Sequence, residues 1–75
     1  MAADKHYTYN RTWEQIETML DKAERKQAMH LEQLNRRKLS KEDKIVHMRN
    51  YKALEGVIKS LRWVLGDRLI DSPLE

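Results

Sequence analysis

The chain has no cysteine and no phenylalanine, a single proline (Pro73) and only two glycines (Gly56 and Gly66) among its 75 residues. Without cysteine there can be no disulfide staple and no thiolate metal site. Two glycines cannot build a Gly-rich phosphate loop. Scarce breakers, together with abundant Lys, Glu, Arg, Leu and Ala, favour long helices over sheet. No apolar run approaches the roughly 18–20 residues of a membrane span, and the first ten residues are too polar for a signal peptide. These absences predict an all-α, cytoplasmic chain with no membrane partner.

What is present is charge and period. Charged residues make up 36% of the chain, against roughly 25% in an ordinary globular domain. The 40% that is hydrophobic recurs at helical steps rather than being scattered, which argues against disorder. Thr12 is placed to N-cap a first helix, with Gln15 completing a T-x-x-Q capping box. From there Trp13, Ile16, Leu20, Ala23, Gln27, His30 or Leu31, and Leu34 mark one helical face, predicting a helix over Trp13–Arg37. Ser40 opens a second, with Glu42 and Asp43 in its first turn where the helix dipole favours negative charge. Its stripe runs through His47 or Met48, Tyr51, Leu54, Ile58, Leu61 and Leu65, and Gly66 is placed to end it. Residues 67–70 are read as one further turn.

The linker is too short for anything but a reversal, so the fold class is an antiparallel two-helix hairpin. Folding about Leu39 sets Trp13 opposite Leu65, Ile16 opposite Leu61, Leu20 opposite Ile58, Ala23 opposite Leu54, and Gln27 opposite Tyr51. Leu31 then meets His47 or Met48, and Leu34 meets Ile45. The domain reading is an irregular arm at 1–11, a helical hairpin at 12–70 and a flexible tail at 71–75.

The second helix carries more apolar surface than one partner covers. Val46, Asn50, Ala53, Val57, Ser60 and Val64 form a second run at coiled-coil spacing, about 100° from the first. Gly56 sits beside it, a costly residue in mid-helix. Two helices rarely bury enough surface to offset chain entropy, and oligomerisation is a usual remedy. The expectation is a homodimer forming a four-helix bundle through this seam. The competing reading has the arm and the 67–70 turn folding over it in a monomer.

Positive charge gathers in the middle of the chain. Arg36, Arg37, Lys38, Lys41 and Lys44 surround the predicted hairpin tip, a concentration that phosphate binding requires. A solvated turn, with cations at a helix C-terminus, explains the same residues. The tip has no interleaved aromatics for base stacking, and two long antiparallel helices do not make a helix-turn-helix.

Catalytic chemistry finds little support. The register brings His30 near His47, with Asp43 one turn before His47, so a two-His, one-carboxylate site is conceivable. The Glu-x-x-His pairs of di-iron bundles are absent, and seam histidines are the simpler reading. No nucleophile stands at recognisable spacing from a base. The carboxylates are expected to pair locally, Asp21 with Arg25 and Glu55 with Lys59. The function reading is therefore a non-catalytic module without cofactor or small-molecule substrate. It self-associates and docks a macromolecular partner. The alternative is a nucleic-acid-binding protein that uses the basic tip.

Overall fold

A computed structural model describes residues 6–75, so the first five residues of the expected arm lie outside the described part. Two helices, α1 (Trp13–Leu34) and α2 (Lys41–Val64), pack against each other as a hairpin, and no strand occurs among the described residues.

Local chemistry sets the helix ends. At the start of α1 the Thr12 hydroxyl accepts from the Gln15 N–H at 3.1 Å, and the Gln15 side-chain oxygen accepts from the Thr12 N–H at 2.9 Å. This reciprocal box satisfies two donors that have no intrahelical partner. The far end comes three residues before the expected Arg37. Asn35 is the C-cap, its N–H shared between the carbonyls of Leu31 and Glu32 at 3.2 Å each. Arg36, Arg37 and Lys38 therefore lie in the turn and not in the last turn of α1. In α2 the Ser40 hydroxyl accepts from the Asp43 N–H at 3.1 Å. Gly66, at φ +85°, takes the left-handed position that closes α2. There its N–H reaches the Trp63 carbonyl at 3.0 Å, and that of Asp67 reaches Arg62 at 2.9 Å, the paired bonds of a Schellman motif. One turn follows, closed by the Ile70 N–H on the Asp67 carbonyl at 3.2 Å.

The seam between the helices is shallow. Ala23 and Ile58 are the buried apolar residues, His30 is the buried polar one, and no described side chain is fully enclosed. Ile16, Leu20, Leu34, Leu54, Leu61 and Leu65 are half-buried along the expected stripes. Three positions depart from the expected pairing. Trp13 is 65% exposed, because the first turn of α1 lies at the open end of the hairpin with little of α2 beside it. Leu31 is exposed while His30 is buried, so the inward position belongs to the histidine. Ile45 is exposed as well.

The shape follows from this thin seam. The radius of gyration is 15.7 Å, against about 11 Å for a compact domain of this length. The accessible surface is 6839 Å², whereas a folded monomer of this mass exposes roughly 4,900 Å².

Candidate functional site

Two surfaces and one side-chain pair stand out from the hairpin. The first surface is the second run of α2. Val46 is 53% exposed, and Val57 and Val64 are each 43% exposed, with Asn50, Ala53 and Ser60 exposed between them. Asn50 donates to the carbonyl of Val46 at 2.9 Å, so its amide is tied to its own helix. Tyr7 and Tyr9 of the arm are themselves exposed. The described part of the arm therefore leaves this seam open.

The face is broader than the sequence indicated. Lys26 and Met29 of α1 line a shallow hollow with Asn50, Ala53 and Val57, so both helices contribute to it. Met19 and Met29 are exposed, which extends apolar character along α1. Trp63 was not singled out from the sequence, yet it is 49% exposed and lies two helical turns beyond Gly56 on the outer side of α2. Its seven-residue spacing from Gly56 was the available signal. Gly56 has negative φ, and a Cβ added there would meet nothing within 4 Å. Nothing inside the chain requires a glycine at this position.

The second surface is the hairpin tip. Arg36, Arg37, Lys38, Lys41 and Lys44 are all exposed in or beside the turn between α1 and α2. None takes part in an ion pair among the described residues, whose pairs are Asp21–Arg25, Lys52–Glu55 and Glu24–Arg62. The Asp21–Arg25 pair is the expected one, at 3.0 Å. Glu55 instead meets Lys52 at 3.5 Å, not Lys59, which is half-buried.

The pair is His30 and His47. Their Nδ1 atoms lie 2.9 Å apart across the seam, with ring centroids at 5.1 Å and planes tilted by 49°. Asp43 does not complete a cluster with them. Among the described residues no group of three or more His, Asp or Glu side chains is placed to hold a metal ion. One layer away Gln27, set opposite Tyr51 by the hairpin register, donates to the Tyr51 backbone carbonyl at 3.5 Å, a long contact from side chain to main chain. The hydroxyls of Thr12 and Ser40 are occupied by helix capping, and that of Thr18 donates to the Glu14 carbonyl at 2.8 Å.

No described helix is long and apolar enough to cross a membrane. The geometry defines a helical hairpin with one open apolar face and a cationic end. No protein-family model, curated protein or solved structure matches the chain.

Proposed function

We propose that this chain is a non-catalytic interaction module that self-associates through the α2 seam and presents its remaining surface to a macromolecular partner. The supporting observation is the open Val46–Val57–Val64 face on a chain exposing roughly 2,000 Å² more than a folded monomer of its mass. A standard interface removes about 800 Å² from each partner, well within that excess. A second copy is the occupant that fits. A two-fold axis sets the same valines against one another, and burying them supplies the core that two helices lack. The product is a four-helix bundle with α2 at its centre. Such a module needs neither cofactor nor small-molecule substrate, and the lack of cysteine suits a reducing, cytoplasmic setting.

Sedimentation or light scattering of the full chain tests the reading. The expected particle has twice the 9.0 kDa chain mass at tens of micromolar, dissociating on dilution. A monomer at that concentration refutes it.

A second reading rests on the tip. Five exposed cations that make no ion pair among the described residues are available to phosphates, and a two-fold dimer doubles their number. In this reading the macromolecular partner is nucleic acid, bound through its backbone and not read base by base. Pull-down from native lysate with and without nuclease separates it from a protein partner.

A further inference from the structure

Three residues on the outer flank of the α2 seam have no evident task inside a single hairpin. Arg49, Gly56 and Trp63 follow one another at seven-residue steps. By helical spacing they form one row beside the seam, on the side of α2 turned away from the buried Ile58. Arg49 is exposed and makes no ion pair among the described residues. Trp63 leaves half of its surface in solvent. Gly56 lies between them with open space where a Cβ would stand. The seam itself has an order. It reads Val46, Asn50, Ala53, Val57, Ser60, Val64, so apolar and polar positions alternate in the same way from either end.

We infer that two copies associate with their α2 helices antiparallel, crossing at Gly56, with Arg49 of each copy laid on the indole of the partner's Trp63. This rests on the self-association reading and adds the orientation and the contacts that fix it. Antiparallel coiled-coil packing sets Val46 against the partner's Val64, Ala53 against the partner's Val57, and Asn50 against the partner's Ser60. Every apolar position meets an apolar one. Asn50 already spends its amide N–H on the Val46 carbonyl at 2.9 Å, so Oδ1 is what it offers across the interface. The hydroxyl of the partner's Ser60 is the donor opposite, and the two-fold axis repeats the bond. The partner's Val57 enters the hollow that Ala53 lines between the helices.

The flank completes the pairing. In this register Gly56 meets the partner's Gly56 at the axis, where two missing side chains let the backbones close up. One heptad to either side, Arg49 comes opposite the partner's Trp63. Indole offers the best aromatic face for a cation, and a planar guanidinium stacks flat on it.

Charge favours this orientation over the parallel one. A parallel pair also matches the seam, with Asn50 on the partner's Asn50, but it gathers both sets of five tip cations at one end. It also leaves Arg49 with no indole opposite. The antiparallel pair separates the tips by about the length of the 24-residue α2, roughly 36 Å and several Debye lengths. Each tip then lies beside the partner's 67–75 end, where Asp67, Asp71 and Glu75 outnumber Arg68.

Disulfide trapping in the full chain tests the orientation, and the native lack of cysteine keeps the test clean. Val46→Cys and Val64→Cys are equilibrated in a glutathione redox buffer, each alone and then mixed. The expected product is a cross-linked dimer from the mixture, one chain of each kind, with little from either variant alone. Cross-links within each single variant mean a parallel pair. They overturn the proposal and leave self-association intact. Absence of any cross-link overturns it too; wild-type sedimentation then shows whether the dimer falls with it or stands in another arrangement. A double-mutant cycle on the dimer Kd gives the second readout. Arg49→Ala and Trp63→Ala change exposed side chains, so the hairpin itself is expected to stay folded. The double variant is expected to associate more tightly than the product of the two single losses, by about 2- to 5-fold for each of the two contacts. Losses that simply multiply overturn the stacking of Arg49 on the partner's Trp63.

Discussion

Arg62 donates from Nη2 to Oε2 of Glu24 at 2.7 Å, tying α2 to α1 across 38 residues of sequence. It is the cross-helix ion pair among those described, beside the layer where Ala23 and Ile58 are buried. Its side chains are 45% and 43% exposed, so water and salt screen most of the attraction. A double-mutant cycle with Glu24→Ala and Arg62→Ala should give a coupling of about 0.2–1 kcal/mol that shrinks with added salt. A salt-insensitive coupling well above that would mean a dry environment, such as one covered by another chain.

The apolar seam carries more. Ile58→Ala removes three carbons from the best-buried large side chain and should cost about 2–4 kcal/mol in urea melts at fixed protein concentration. Leu20 is only half-buried, so Leu20→Ala should cost about half as much. Trp13→Ala at the open end should fall within about 0.5 kcal/mol of wild type, despite the size of the ring. Equal costs at all three positions would show that the hairpin is packed differently.

These unequal costs mark what the sequence could and could not reveal. Periodicity identified both helices, polar side chains identified the caps at Thr12 and Ser40, and glycine's conformational freedom identified the one at Gly66, because capping is local chemistry. The register was legible because the stripes match in both spacing and length. Depth of burial was not. Trp13, Leu31 and Ile45 have the right period, yet a seam between only two helices is narrow, and each lies off its line or beyond its end. The close approach of the two histidine nitrogens also escaped, since residue spacing places rings in one layer without orienting them. The early stop of α1 at Leu34 also escaped, since no glycine or proline stands between Leu34 and Ser40 to mark it.

The open face predicts its own disruption. Val57→Glu puts a charge at the middle of the proposed dimer interface, where it would be buried without a partner. The variant should sediment as a monomer of 9.0 kDa under conditions where wild type is twice that. Val57 is 43% exposed in the single hairpin, so the charge itself should be tolerated there, and any loss of stability should track the loss of association. An unfolded variant would instead place Val57 inside the core of a single chain.

Gly56 allows a test with opposite signs. An added Cβ meets nothing within 4 Å in the hairpin, so an isolated chain should gain about 0.8–1 kcal/mol of helix stability from Gly56→Ala. If a second backbone passes close to this point, the same methyl must weaken association. Measured against protein concentration, the variant should be more stable than wild type when dilute and lose that advantage as concentration rises. A uniform gain at every concentration would exclude close approach at Gly56.

The cationic tip predicts a salt dependence that a solvated turn does not. Each phosphate neutralised on binding releases condensed counterion, so the logarithm of affinity falls with the logarithm of salt at about 0.9 per neutralised phosphate on duplex DNA. Replacing Arg36, Arg37 and Lys38 together with serine removes three of the five exposed tip cations and leaves Lys41 and Lys44 in the first turn of α2. The slope should flatten by about 1 for each phosphate that is no longer neutralised, and affinity should drop by a similar factor on every sequence tested. Folding should hardly change. These side chains are exposed, make no ion pair among the described residues and lie outside both helices, so the melting temperature should move by only a few degrees. Binding that is absent at low salt, or equal in the triple variant and wild type, would remove nucleic acid as a partner of the tip. The proposed self-association of α2 depends on a different face and would stand unaffected.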